Sequence, residues 1–147
     1  MGKDVLNDHY GRMYEMPLEL SRSGINVSCF SLSYRNKGYF HENITAGLVW
    51  TSVDLNLSHP GGIVKLVREI LKRVEIFKPV AIIATSDVIH LAIGQYVSQK
   101  TDIPLISDLY DNFESYGMSK LPFMNLIYRN ALKGSSIVTC ISKPLAK

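Results

Sequence analysis

The sequence holds one tryptophan and two cysteines, and no apolar run approaches the roughly 18–20 residues that a membrane-spanning helix needs. That last absence argues against a helical membrane protein. Residues 1–8 carry Lys3, Asp4 and Asp8 where a signal peptide would place its apolar core, so a cytoplasmic chain is expected. The scarcity of cysteine excludes a disulfide-built scaffold. Cys29 and Cys140 lie far apart, each within a stretch that reads as a buried strand, and both are expected to be free thiols. Sixteen basic residues against thirteen acidic ones leave a charge of +3, too small to point to nucleic acid. The sequence contains no internal repeat and no low-complexity stretch, and it calls for no metal or cofactor.

What is present is the composition of an ordinary globular chain, 46% hydrophobic and 20% charged. Its 147 residues suffice for one compact domain over residues 1–147. Short apolar runs alternate with helical segments, the pattern of a parallel α/β sheet with flanking helices. Residues 14–23 read as a helix, with Pro17 in its first turn and Gly24 as its stop. Residues 27–33 read as a strand, followed by a polar loop through Asn43 and a second strand over residues 47–53. The clearest helix spans residues 61–77, where Ile63, Leu66, Val67, Ile70, Leu71, Val74 and Phe77 recur at three- and four-residue steps. Pro79 ends it, and residues 80–85 form a nearly continuous apolar strand of the type buried on both faces. A helix over 89–99, a strand over 103–108, a helix over 123–132 and a strand over 136–141 follow. Ser142 and Pro144 then mark one more helix start.

In open parallel sheets, ligands bind beyond the carboxyl ends of the strands. Ser86, Asp87 and His90 fall at one such end. Asp108, Tyr110, Asp111, Asn112 and Glu114 fall at the next, and Ser142 at the last. A dense set of carboxylates and an amide beside Tyr110 and Phe113 suits the recognition of sugar hydroxyls, which need acceptors and an aromatic face. Plainer roles stand beside these. Ser86 and Asp87 serve equally as helix caps, and His90 as a solvent-facing residue at a helix start. Asp108 and Asp111 fit a turn, and Glu15 the first turn of a helix. Lys65, Arg68, Lys72 and Arg73 read first as a solvated face, with contact to anionic lipid as the sharper alternative.

Three stretches in order carry a family resemblance. They are Asp8-His-Tyr-Gly-Arg12-Met-Tyr-Glu15 with the helix after it, Thr85-Ser-Asp-Val-Ile-His90, and Asp108-Leu-Tyr-Asp-Asn-Phe-Glu-Ser-Tyr-Gly117 with Ile141-Ser-Lys-Pro-Leu145 downstream. Together they resemble the N-terminal domain of family 4 glycosyltransferases of the GT-B fold, over nearly the whole chain. The resemblance implies a Rossmann-like parallel sheet whose strand-end loops hold a saccharide or lipid-linked acceptor. It implies a retaining sugar transfer from a nucleotide-sugar donor held by a second, C-terminal domain, and the chain ends before that domain's motifs. It also places Gly11, Arg12 and Glu15 at a loop facing the cleft, where main-chain N–H groups meet donor phosphate or sugar. Many relatives carry a histidine where this chain has Tyr110, and the glycine-rich first loop is reduced to Gly11.

Relatives supply an apolar central strand before the Asp8–Arg12 stretch, whereas only Met1 to Leu6 precedes it here. The first strand is therefore expected to be largely missing, and the chain to be inactive alone. The alternatives are a non-catalytic binding module, one subunit of a split transferase with the donor domain on a separate chain, and an unrelated flavodoxin-like or receiver domain. A peripheral site at the inner membrane face goes with a lipid-linked acceptor.

Overall fold

The computed structural model describes residues 5–6, 8–9, 11–33, 40–54, 61–85, 87–110 and 123–141. The chain divides into two compact units, Met1–Ile70 and Leu71–Lys147, and the division falls within a helix.

In the first unit, α1 (Gly11–Arg22) begins three residues before the expected Tyr14 start. Pro17 therefore sits in the helix interior rather than in its first turn, and it is buried. A proline there withholds one backbone N–H from the helix, so packing must hold what the local hydrogen-bond ladder lacks. The end of α1 follows the sequence closely. Gly24 adopts a left-handed φ of 84°, its N–H reaches Ser21 O at 2.9 Å, and the N–H of Ile25 reaches Leu20 O at 3.1 Å. This is a Schellman closure, which glycine enters without a Cβ penalty.

Strands β1 (Val27–Ser33) and β3 (Leu48–Asp54) pair in parallel from Val27↔Leu48 to Ser33↔Asp54. Between them in sequence, β2 (Phe40–Thr45) pairs antiparallel with the far edge of β3, giving the order β1-β3-β2. The expected loop through Asn43 is thus partly a strand. Its polar letters hide it because an edge strand needs no apolar face, while Ala46 and Gly47 supply the tight turn back into β3. One core gathers Leu6, Tyr14, Leu48 and Trp50, with Val5, Leu18, Val27 and Cys29 against it. Trp50 donates its indole N–H to the buried Ser31 hydroxyl at 3.1 Å.

Helix α2 (Gly61–Phe77) has the expected bounds, and Leu66 is its fully buried residue. Lys65, Arg68 and Lys72 are exposed, as a solvated face requires, whereas Arg73 is half-buried.

The second unit is a run of parallel strands and crossover helices: β4 (Ile82–Thr85), α3 (Val88–Thr101), β5 (Leu105–Leu109), α4 (Met124–Lys133) and β6 (Ile137–Cys140), in the order β4-β5-β6. Registers run Ile82↔Leu105 to Thr85↔Asp108, and Ile106↔Ile137 to Leu109↔Cys140. The strands follow one another side by side, so crossovers of one hand place both helices on one face of the sheet. Ala84, Leu91, Leu105, Leu109 and Ala131 form the core there. Gly94 is where α3 comes nearest the sheet, since a Cβ on it would lie 2.6 Å from the Ala84 Cβ.

The other face differs from the expected strand buried on both sides. Val80 lies before β4 and is 90% exposed, and Ile83 is 41% exposed. Ile83, Ile106 and Ile137 share one cross-strand row on that face, which α3 and α4 do not cover. The chain is a mixed α/β protein of the Rossmann-like class, with parallel strands in two small sheets flanked by helices. No strand precedes α1 among the described residues, and among them no helix is long and apolar enough to cross a membrane.

Candidate functional site

The carboxyl edge of the second sheet concentrates polar chemistry. Thr85, Asp108 and Thr139 stand directly across from one another on three adjacent strands. Cross-strand partners in a parallel sheet project from the same face about 4.8 Å apart, so a short acid on the middle strand reaches both neighbours. The Thr139 hydroxyl donates to Asp108 Oδ1 at 2.6 Å, and the Thr85 hydroxyl contacts Oδ2 at 3.4 Å. Asp108 is only 2% exposed, and these two hydroxyls are not its sole partners. A buried carboxylate is tolerated when its lone pairs are filled in this way. Asp108 thus ties three strands together at the site's floor. Thr85 opens a strand-end stretch already singled out in the sequence and Thr139 does not, and only the register reveals that both flank Asp108.

Two residues beyond Thr85, Asp87 caps α3. Its Oδ1 accepts the backbone N–H of His90 at 3.0 Å and lies 2.7 Å from His90 Nδ1. The capping role and the histidine contact therefore share one oxygen. The Asp87 and His90 side chains are both partly exposed. Tyr110 follows β5 directly and is half-buried. The fold so brings Asp87 and His90 into contact and joins Asp108 to Thr85, while Tyr110 leaves the same strand as Asp108.

Gly11, Arg12 and Glu15 belong to the first unit. Gly11 opens α1 with a φ of 55°, a left-handed conformation that favours glycine. Arg12 is half-buried with a partner of its own, and Glu15 is exposed. Next to them, the exposed His9 ring stacks on Tyr14 at 4.3 Å, and Tyr14 stacks on Trp50 at 5.8 Å. The loop spacing of His9 gave no sign of this column. Ser86, Asp111, Asn112, Glu114 and Ser142 lie outside the described residues.

Burial pushes the Cys29 thiol up to about 12, and both cysteines are free. Among the described residues, no three His, Cys, Asp or Glu side chains are grouped to hold a metal ion. No protein-family model matches the chain, and no curated protein sequence matches it significantly.

Proposed function

We propose that this chain is the acceptor-side domain of a retaining glycosyltransferase, holding a saccharide or lipid-linked acceptor at the carboxyl edge of its second sheet. The observation that carries the reading is the Asp87–His90 pair set beside Thr85 and the anchored Asp108. Fixed acceptors at the strand ends of a parallel sheet suit a ligand rich in hydroxyl groups. Asp108 is buried and acts as the rigid floor, so contact with ligand falls to Asp87, His90 and Tyr110, with Ser86, Asp111, Asn112, Glu114 and Ser142 proposed from the sequence alone. Gly11, Arg12 and Glu15 are proposed for the donor-facing loop.

The nucleotide-sugar donor is proposed to bind a second domain, on the same polypeptide or on a separate chain. Departure of a nucleoside diphosphate needs charge stabilisation that these residues do not supply, so the 147 residues alone are expected to be inactive. A cytoplasmic location at the inner membrane face accords with a lipid-linked acceptor.

The test is to titrate the purified chain with mono- and oligosaccharides by NMR, and to assay it with nucleotide sugars. Saccharide-dependent shifts confined to the second unit, with no transfer, are expected. Transfer without a partner would sink the half-enzyme reading. Saccharide binding without transfer, unchanged when any donor domain is added, would favour a non-catalytic binding module.

A further inference from the structure

The contact between Asp87 and His90 constrains more than a helix end. A carboxylate oxygen carries no proton to give, so at 2.7 Å the imidazole Nδ1 must be the donor. In the neutral ring this leaves Nε2 as an acceptor with its lone pair in the ring plane. The histidine side chain free in water favours the opposite arrangement, with the proton on Nε2. The capping bond from the His90 backbone N–H holds Asp87 Oδ1 in place at 3.0 Å, so the carboxylate cannot swing away without giving up the N-cap of α3. The His90 ring makes no other hydrogen bond among the described residues, and its side chain is 22% exposed.

We propose that Asp87 is a positioning residue that locks His90 as the Nδ1–H tautomer and presents Nε2 as the acceptor for a ligand hydroxyl. The second half rests on the acceptor-side reading above, and the first half does not. The inference narrows the ligand chemistry at this position to a hydrogen-bond donor, which on the acceptor-side reading is a hydroxyl. A carbonyl or phosphate oxygen would meet the Nε2 lone pair of the neutral ring unfavourably.

Long-range proton–nitrogen correlation spectra of the nitrogen-labelled chain, recorded at alkaline pH, read the tautomer directly. His90→Gln identifies its signals among the four histidines. The wild type is expected to show protonated Nδ1 and bare Nε2. Asp87→Ser retains a good helix cap yet removes the carboxylate, and it should return His90 to the Nε2–H form. Asp87→Gly, an N-cap residue with no side-chain acceptor, serves if the serine variant does not fold, and it should shift the tautomer the same way. A wild-type ring protonated on Nε2, or a tautomer indifferent to both substitutions, overturns the proposal.

A saccharide found to bind should then shift the His90 Nε2 signal, and His90→Gln should weaken its binding about three- to tenfold, as the loss of one hydrogen bond implies. Saccharide shifts elsewhere that spare Nε2 overturn the acceptor role while leaving the acceptor-side function standing. A locked tautomer with no response to any saccharide overturns that function instead, and with it the hydroxyl assignment.

Discussion

The Thr139 hydroxyl donates to Asp108 Oδ1 at 2.6 Å, across the boundary between β6 and β5. The contact is shorter than the 3.4 Å between Thr85 and the other carboxylate oxygen, and the two differ in expected strength. Thr139→Val keeps the branched shape and removes the donor to a buried carboxylate, so it should cost about 1.5–3 kcal/mol. Thr85→Val should cost roughly 0.5–1.5 kcal/mol. Urea denaturation of the two variants checks the order. Equal losses would mean that Asp108 draws its support from elsewhere.

Gly94 gives a second, purely steric prediction. An alanine in a helix interior normally gains about 1 kcal/mol over glycine. Here the added Cβ would meet Ala84 Cβ at 2.6 Å and Leu105 Cδ1 at 3.1 Å, both in the core. Gly94→Ala should therefore destabilise by about 1–2 kcal/mol net. Ala84→Gly placed on top should recover part of that loss, and a double-mutant cycle by thermal unfolding measures the coupling.

Cys29 links stability to alkaline pH. Its ordinary value is 9.0, and burial beside the Trp50 core raises it to about 12 in the folded chain. The unfolded chain releases this proton near 9, whereas the folded chain keeps it. Folding stability therefore falls as pH rises from 9 towards 12, and is fully present below 9. Cys29→Ala should flatten that part of the pH profile. In the folded protein at pH 8 the same thiol should resist alkylation, and mass spectrometry of the labelled peptide would expose the error if it reacts readily.

The sole tryptophan makes the first unit visible on its own. Ser31→Ala leaves the Trp50 indole N–H without its 3.1 Å acceptor at a site that is 3% exposed. A loss of about 1–2 kcal/mol and a shift of the emission to shorter wavelength are expected. Unchanged emission would show that the indole finds another acceptor.

Much of the fold was legible because it is local. The strand over residues 27–33 and the helix over 61–77 were read with the bounds they adopt, since apolar spacing and the flanking Gly and Pro signals agree there. Gly24 likewise announced a helix stop that the backbone makes. β2 was missed because an edge strand carries no required apolar alternation, and α1 was entered late because Pro17 argued for a first turn it does not occupy.

The site divides along the same line. Asp87, His90, Asp108 and Tyr110 could be placed at strand ends from the order of elements alone, because chain direction determines which end of a parallel strand is which. That one Asp87 oxygen serves both the His90 backbone and its ring needed coordinates. So did the burial of Asp108 between Thr85 and Thr139, which are 54 residues apart and share no sequence signal. Local periodicity specifies which segments become helices and strands. Register across strands is a long-range choice, made by the packing of whole faces, and it alone decides which side chains become neighbours.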